Sequence, residues 1–306
     1  MTKLPLVYHP HYSILWPKAH RFPMTKFEMF YNYLLQGGLA DPDQFHEPRP
    51  ASESTLGLVH SPQYLSAFQD GSWSEKVQRR IGMPWYPELV LRTHAEVGGT
   101  ILTTRLALEY GLACNMAGGT HHAFPDHGSG FCILNDMAVA ARLALVQGRV
   151  RQVLIIDLDV HQGDGNAFIF KDEPRVFTFS VHGARNFPAR KQVSDLDIGL
   201  ENETGDEAYL AVLYERLPDL LSRIRPDLVL YDAGVDVHGE DRLGKFALTD
   251  EGLAQRDRYV LGTCVKQGFP VACVVGGGYA RDRNELPRLH GYLYQAAAQV
   301  YQAHRL

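Results

Sequence analysis

The chain has 306 residues, of which 45% are hydrophobic and 21% are charged, and its formal net charge is -5 at pH 7. These values are typical of a globular protein with a sizeable core, and the acidic balance argues against a nucleic-acid-binding surface. No apolar run reaches the ~18 residues of a membrane span, and the N-terminal sequence lacks the apolar stretch of a signal peptide. We therefore expect a soluble cytoplasmic protein, with no membrane partner, that forms a single domain over residues 1–306.

The order of the predicted elements indicates the fold class. The first 75 residues are rich in proline, histidine and aromatic residues and predict helices at about 24–35 and 61–68. Further helices are predicted at 87–110, 135–147, 206–223, 250–267 and 285–303. Strands are predicted at 112–118, 153–156, 175–181, 227–234 and 270–278. Alternating strands and helices predict an α/β fold in which helices cover both faces of a parallel sheet.

The strongest functional signal is residues 153–165, VLIIDLDVHQGDG, in which Asp157, Asp159, His161 and Asp164 follow a buried strand. The first three point to one side if the chain is extended, because strand side chains alternate. Parallel sheets bind ligands beyond the carboxyl ends of their strands. One imidazole and at least one carboxylate could therefore meet a single cation there.

Three other predicted strands also end in polar residues. His121 and His122 follow one strand, Asp232 and Asp236 follow another, and a triple glycine with Tyr279 follows the last. Since parallel strands end at the same edge of a sheet, these groups should converge. Four such strand ends together predict an active site.

One part of this predicted site suits a metal. Asp159, His161 and Asp236 would form an oxygen-rich site with an open position, as catalytic Zn²⁺ or Fe²⁺ sites have. Asp232 is an alternative ligand to Asp236, because it ends the same strand. A metal of this kind makes hydroxide available near neutral pH.

The remaining residues suit proton transfer. His121 and His122 could take a proton from water and return it to a leaving group. Asp157 and Asp164 are then free to orient the two imidazoles, and Tyr279 could donate a hydrogen bond to a forming oxyanion. This combination predicts hydrolysis of a carbonyl compound, with an amide as the natural substrate.

Four motifs in this order resemble those of the histone deacetylase family, which has an arginase-like fold: GGTHHAFPDHGSGFCILND, DLDVHQGDG, AGVDVHGEDRLG and GGGYARD. The HRFPMTKF segment and Gln162 look more like the class IV branch and its bacterial relatives than like class I. The resemblance implies a zinc-dependent deacylase that acts on an acylated lysine or a similar amine.

Site roles follow from the resemblance residue by residue. It implies ligation of Zn²⁺ by Asp159, His161 and Asp236, with His122 as general base and acid and Tyr279 as the group that polarises the acyl carbonyl. It also implies two orienting pairs, His121 with Asp157 and His122 with Asp164.

Further residues match binding features of the family. The substrate tunnel is matched by Gly130, Phe131, Phe187 and Leu243. A structural potassium site is matched by Asp157, Ser180 and the backbone of Asp159, His161 and Val181. Arg21 matches an arginine of an internal channel. Class I relatives also have a rim aspartate that binds the substrate backbone, and the comparable residues 79–88 contain no aspartate.

Three alternatives stay open at this point. An acetylpolyamine amidohydrolase shares the chemistry but acts on an acylated polyamine. A ureohydrolase of the same fold would need a second metal and further carboxylates. The third alternative, an acyl-amine binding module, would have no activity.

Overall fold

The computed structural model describes residues 3–306. Eight strands form one sheet in the order β2-β1-β3-β8-β7-β4-β5-β6, and every neighbouring pair is parallel. The strands are β1 Leu6–Val7, β2 Phe45–His46, β3 Leu112–Asn115, β4 Val153–Asp157, β5 Val176–Gly183, β6 Leu196–Leu200, β7 Leu228–Asp232 and β8 Val271–Val274.

Ten α-helices lie within the described residues. They are α1 Lys26–Gln36, α2 Glu53–Leu56, α3 Pro62–Asp70, α4 Glu75–Ile81, α5 Pro87–Tyr110, α6 Asp136–Val146, α7 Asp164–Phe170, α8 Asp206–Ile224, α9 Asp250–Lys266 and α10 Leu286–His304. Short 3-10 helices span Pro10–Tyr12, Pro42–Gln44 and Arg283–Glu285. No helix within residues 3–306 is both long and apolar enough to span a membrane.

The sheet has an apolar core on each face. Leu154 and Ile156 of β4 pack in one cluster, with residues of α1, α8, α9 and α10, whereas Val153 and Ile155 pack in the other, with residues of α6 and α7. This division follows from the alternation of side chains along a strand. All five residues of β4 are buried, as expected for a central strand of a covered parallel sheet.

The predicted α/β class with a parallel sheet is confirmed, whereas several strands end earlier than predicted. The strand predicted at 112–118 ends at Asn115, and those predicted at 227–234 and 270–278 end at Asp232 and Val274. Gly118 and Gly119, both at φ +88°, turn the chain away from the sheet after β3. The residues lost from these strands form the loops described next.

Some elements were not predicted, because their sequences carry weak signals. Strands β1 and β2 have two residues each, and the edge strand β6 is only partly buried, so none of them is an apolar run. Helices α4 and α7 have seven residues each, which is short for a helical pattern to show.

Candidate active site

The strand register aligns the ends of the strands from which the site loops begin. Asp157 at the end of β4 pairs with Ser180 of β5 on one side and with Asp232 at the end of β7 on the other. Asp232 in turn pairs with Val274 at the end of β8. The loops that follow β4, β7 and β8 therefore leave the sheet side by side, as the strand-end argument predicted.

Asp159, His161 and Asp236 form a compact buried group whose ligand atoms all lie within 4.8 Å of one another. His161 Nδ1 lies 2.9 Å from Asp159 Oδ1 and 3.1 Å from Asp236 Oδ2. Backbone amides hold the other carboxylate oxygens: Gly277 N–H donates to Asp159 Oδ2 and Val160 N–H to Asp236 Oδ1, at 2.8 and 2.9 Å. Both carboxylates are thereby oriented toward the imidazole.

This group fits a divalent cation. Asp236 Oδ2 is buried and accepts no hydrogen bond from residues 3–306. Burial and the nearby Asp159 raise the pKa of Asp236 to about 7, because a second anion is costly in this environment. A Cβ on Gly277 would lie 2.1 Å from Asp236 Oδ2 and 2.4 Å from Asp159 Oδ2, so glycine keeps the space beside both oxygens open. Two carboxylates and one imidazole are a suitable donor set for Zn²⁺ or Fe²⁺.

His121 and His122 form two buried imidazole–carboxylate pairs. His121 Nδ1 lies 2.8 Å from Asp157 Oδ2, and His122 Nδ1 lies 2.6 Å from Asp164 Oδ1. The two Nε2 atoms are 3.2 Å apart. Each carboxylate fixes the orientation of one ring, and both Nε2 atoms face the same small space.

The electrostatic environments of the two histidines differ. Burial lowers the pKa of His121, but Asp157 and Asp159 outweigh it, so the pKa lies well above its usual value. Burial and the neighbouring His121 lower the pKa of His122 to about 4, although Asp164 opposes the shift. A charged His121 beside a neutral His122 avoids the repulsion that two imidazolium rings would have with their Nε2 atoms 3.2 Å apart.

The loop that carries both histidines is held by a buried carboxylate, Asp136, at the start of α6. Asp136 accepts hydrogen bonds from the backbone N–H groups of Gly119 and Thr120 at 3.1 and 2.8 Å, and from the hydroxyl of Thr120 at 2.6 Å. His60 joins the other end of the loop to α6: its Nδ1 contacts Phe124 O at 3.1 Å, and Asn135 N–H donates to its Nε2 at 2.9 Å. Neither residue was predicted from the sequence.

Tyr279 is buried beside this group, and its backbone is fixed by Asp241. Tyr279 N–H donates to Asp241 Oδ2 at 2.6 Å, while Leu243 N–H and Gly244 N–H donate to Asp241 Oδ1 at 2.7 and 2.8 Å. Burial, followed by the carboxylates of the site, raises the pKa of Tyr279 well above its usual value, so its hydroxyl stays protonated. Asp241 thus links the Tyr279 loop to the Leu243 loop, a role that the sequence analysis missed.

A cavity of about 330 Å³ connects the site to solvent, and its walls include all four predicted tunnel residues. The ring of Phe187 is 44% exposed and contacts His122 edge to face, with the centroids 4.8 Å apart. The ring of Phe131 lies 5.8 Å from that of Tyr279. A Cβ on Gly130 would lie 2.7 Å from the His122 ring and 2.9 Å from the Phe187 ring, so glycine allows this close packing.

A second buried group lies beside the first. The ligand atoms of His121, Asp157 and Asp232 are within 4.8 Å of one another, and His121 Nδ1 is 3.9 Å from Asp232 Oδ2. Asp232 Oδ2 accepts no hydrogen bond within residues 3–306. Burial, then the charge of Asp157, raises the pKa of Asp232 well above its usual value. Asp232 therefore lies near His121, whereas Asp236 lies beside His161.

The residues matched to a potassium site lie at the junction of β4 and β5. Asp157 and Ser180 are neighbours in the register, and Val181 follows in β5; all three are buried. Ser180 Oγ contacts His182 Nδ1 at 2.9 Å.

Arg21, which matches an arginine of an internal channel, lines the cavity, and its side chain is exposed. One buried cation of the cavity wall is Lys26, whose Nζ donates to Gly276 O at 2.8 Å and lies 5.8 Å from the ring centroid of Tyr279. Burial lowers the pKa of Lys26 to about 8. No local pattern distinguishes this lysine, because it contacts a residue 250 positions away.

The sheet and the position of its site define the class: the chain has the arginase/deacetylase fold. A solved structure titled "Crystal Structure of HDA15 HD domain" matches it with a TM-score of 0.82 and 20% identity, over 97% of this chain and 89% of that one. The family model described as histone deacetylase domain matches residues 20–294. The chain therefore belongs to the histone deacetylase family.

Similar sequences occur in bacteria and plants. An uncharacterized protein of Picosynechococcus sp. is 55% identical over 97% of this chain and 99% of its own length. Histone deacetylase 2 of Arabidopsis thaliana is 29% identical over 92% of this chain and 76% of its own length. The acetoin utilization protein AcuC of Staphylococcus aureus is 29% identical over 85% of this chain and 72% of its own length.

Proposed function

We propose that this protein is a metal-dependent deacylase that hydrolyses the amide of an N-acylated lysine, with Zn²⁺, or alternatively Fe²⁺, at Asp159, His161 and Asp236. One observation carries the proposal. A buried ligand group with an unpartnered carboxylate oxygen lies beside two oriented histidines, in a cavity that opens to solvent. The family membership supports the same reaction class.

The chain's own residues supply the proton transfers. When bound, the metal would act as a Lewis acid on the acyl carbonyl and lower the pKa of a water molecule toward ~7. His122 accepts the proton of the attacking water at Nε2 and returns it to the departing amine. His122 Nδ1–H donates a hydrogen bond to Asp164, which keeps the proton on Nδ1 and leaves Nε2 available. His121, held by Asp157, adds positive charge beside the developing oxyanion.

Tyr279 and the tunnel residues orient the substrate in this proposal. The protonated hydroxyl of Tyr279 donates to the carbonyl oxygen as negative charge develops on it. Phe131 and Phe187 enclose the methylene chain of the lysine, while Gly130 and Leu243 complete the wall. An apolar tunnel of this kind excludes water around the reacting amide, which strengthens the hydrogen bond from Tyr279 and the other electrostatic interactions of the site.

Two accessory assignments belong to the proposal. Asp157, Ser180 and the backbone of Asp159, His161 and Val181 would hold a structural K⁺, because carboxylate, hydroxyl and carbonyl oxygens suit a hard cation. We also assign residues 1–306 to one domain, since a single sheet includes strands from Leu6 to Val274.

The two-metal ureohydrolase is the second candidate, because His121, Asp157 and Asp232 form a second possible ligand group. One observation weighs against it. The contact of 3.9 Å between the two groups joins His121 Nε2 to Asp159 Oδ1, so an imidazole rather than a shared carboxylate lies between the two positions. We therefore favour one catalytic metal per chain.

One assay separates the candidates. Metal-loaded protein is tested against peptides with short and long acyl-lysines, acetylated polyamines and guanidino compounds, and its metal content is measured by elemental analysis. The proposal expects hydrolysis of acyl-lysine with one divalent metal per chain. Turnover of acetylpolyamine alone would identify the amidohydrolase, and two metals with guanidine hydrolysis would identify the ureohydrolase. No turnover of any substrate would identify a binding module.

A further inference from the structure

The outer wall of the cavity is cationic. Four exposed basic residues, each from a different segment, line it: Arg21, Arg80, Arg185 and Lys245. The carboxylates that line the same cavity within the described chain are Glu96 and Asp159, which are 2% and 1% exposed. The outer wall of the cavity thus carries positive charge, although the net charge of the chain is -5.

These cations are poorly neutralised by the protein itself. Neither Arg21 nor Lys245 forms an ion pair with another residue of the described chain 3–306. Arg185 Nε lies 3.6 Å from Glu201 Oε2, but both side chains are about three quarters exposed, and such pairs are weak. The guanidinium of Arg80 lies 5.8 Å from the ring of Phe124, a contact that leaves its charge uncompensated.

We call the four exposed cations of the cavity wall, Arg21, Arg80, Arg185 and Lys245, the rim. We infer that this rim selects acyl-lysines that are flanked by acidic residues in a protein or peptide. The inference rests on the proposed function, because the rim meets flanking residues only if an acyl-lysine occupies the cavity. A positive cleft concentrates anionic partners and raises their association rate, and it repels cationic ones. Acylated polyamines retain charged amines, so the same rim disfavours them.

The experiment compares peptides that differ only in charge. Three acetyl-lysine peptides carry aspartate and glutamate, serine and glycine, or lysine beside the acylated residue. We expect kcat/KM to be about tenfold higher for the acidic than for the basic peptide at low salt, from a few weak pairs of this kind. The ratio should approach one at about 0.5 M salt, because the charges are exposed.

Charge-reversed variants attribute the effect to the rim. Arg21→Glu/Lys245→Glu should reverse the order of the peptides. Arg149→Glu is the matched control. Arg149 is exposed and lies between α6 and β4, near the amino end of β4, whereas the site lies beyond the carboxyl ends of the strands. It should retain the order of the wild-type protein.

Binding separates failure of the rim from failure of the proposed function. Fluorescence anisotropy with the same labelled peptides tests the rim whether or not any peptide is hydrolysed. Tighter binding of the acidic peptide, lost in the double variant, supports the inference. Equal binding of all three peptides, or tighter binding of the basic one, overturns it. Hydrolysis of the neutral peptide tests the proposed function separately.

Discussion

His122 Nδ1 lies 2.6 Å from Asp164 Oδ1, and both side chains are buried. An ionised carboxylate only accepts hydrogen bonds, so the ring must place its proton on Nδ1. The other nitrogen, Nε2, then presents a lone pair toward the space it shares with His121. This one contact therefore sets the form of His122 that can accept a proton.

Asp164→Asn should lower kcat by about two to four powers of ten, the usual contribution of a positioned general base. The amide can donate to Nδ1, which favours the tautomer with the proton on Nε2. Steady-state kinetics on an acetyl-lysine peptide would measure the loss, with metal content expected to stay constant.

Asp126→Asn is the control for this change, because Asp126 Oδ1 lies 2.6 Å from His127 Nδ1 in an exposed pair outside the site. It should leave kcat unchanged. A kcat of Asp164→Asn within threefold of the wild-type value would show that this carboxylate does not control the tautomer of a catalytic base.

Asp236→Asn and Asp232→Asn make the same chemical change at two neighbouring, fully buried carboxylates. Asp236 faces His161 at 3.1 Å with an unpartnered oxygen, so its loss should reduce bound metal well below one per chain. Asp232 lies 3.9 Å from His121 instead, so its variant should retain the metal. Elemental analysis after dialysis measures both, and metal loss in Asp232→Asn would support the two-metal alternative.

The sequence predicted where these carboxylates would lie but could not distinguish their roles. Asp157, Asp159 and His161 follow an apolar strand, and two general rules, alternation and strand-end binding, were enough to bring them to one edge. Asp232 ends β7 and Asp236 lies four residues further along the loop, whose geometry decides which of the two meets His161. Loop geometry depends on tertiary contacts, which the local sequence does not specify.

The residues that support the site from outside its loops could not be predicted from the sequence, for the same reason. Lys26, His60 and Asp136 reach the site from separate helices or from the segment between two of them, and their partners are distant in the chain. In the sequence of an amphipathic helix, a polar residue that becomes buried cannot be distinguished from one that stays exposed.

Tyr279→Phe removes one hydroxyl from the inner wall of the cavity. If this hydroxyl stabilises the oxyanion, kcat should fall by about two to three powers of ten, as for other oxyanion donors. KM and metal content should stay near the wild-type values, because the ring and the backbone bond to Asp241 remain. Near-normal turnover would remove Tyr279 from the mechanism.

Gly277→Ala tests the space beside the proposed ligands. The added Cβ would lie 2.1 Å from Asp236 Oδ2 and 2.4 Å from Asp159 Oδ2, so one or both carboxylates must move. We expect metal affinity to fall by about 10- to 100-fold, which is the usual effect of changing residues that hold metal ligands in place. Competition with a chelator would measure it.

Gly262→Ala is the matched control, because a Cβ at this position in α9 meets nothing within 4 Å. It should leave metal affinity unchanged and raise the free energy of unfolding by roughly 0.5–1 kcal/mol, as alanine does over glycine in a helix. Equal metal affinity in both variants would show that Gly277 is not needed to keep the ligands in place.

His60 should make the stability of the fold depend on pH. Burial lowers its pKa to about 4, and its two contacts require the neutral ring: Nδ1 donates to Phe124 O, and Nε2 accepts from Asn135 N–H. The unfolded chain, with a histidine pKa of about 6.5, binds more protons between pH 4 and 6.5, so stability falls as the pH falls through this range. From pH 7.5 to 5 the loss should be about 2 kcal/mol.

His60→Gln removes this titration and keeps a donor and an acceptor, so the variant should lose less stability than the wild-type protein between pH 7.5 and 5. Denaturant unfolding at the two pH values measures the difference, which isolates His60 from the other buried histidines. His46→Gln, at an exposed position in β2, serves as the control and should behave like the wild-type protein. Parallel pH profiles for wild type and His60→Gln would mean that the ring tolerates protonation, and its link between the loop of His121 and His122 and α6 would then not depend on the neutral form.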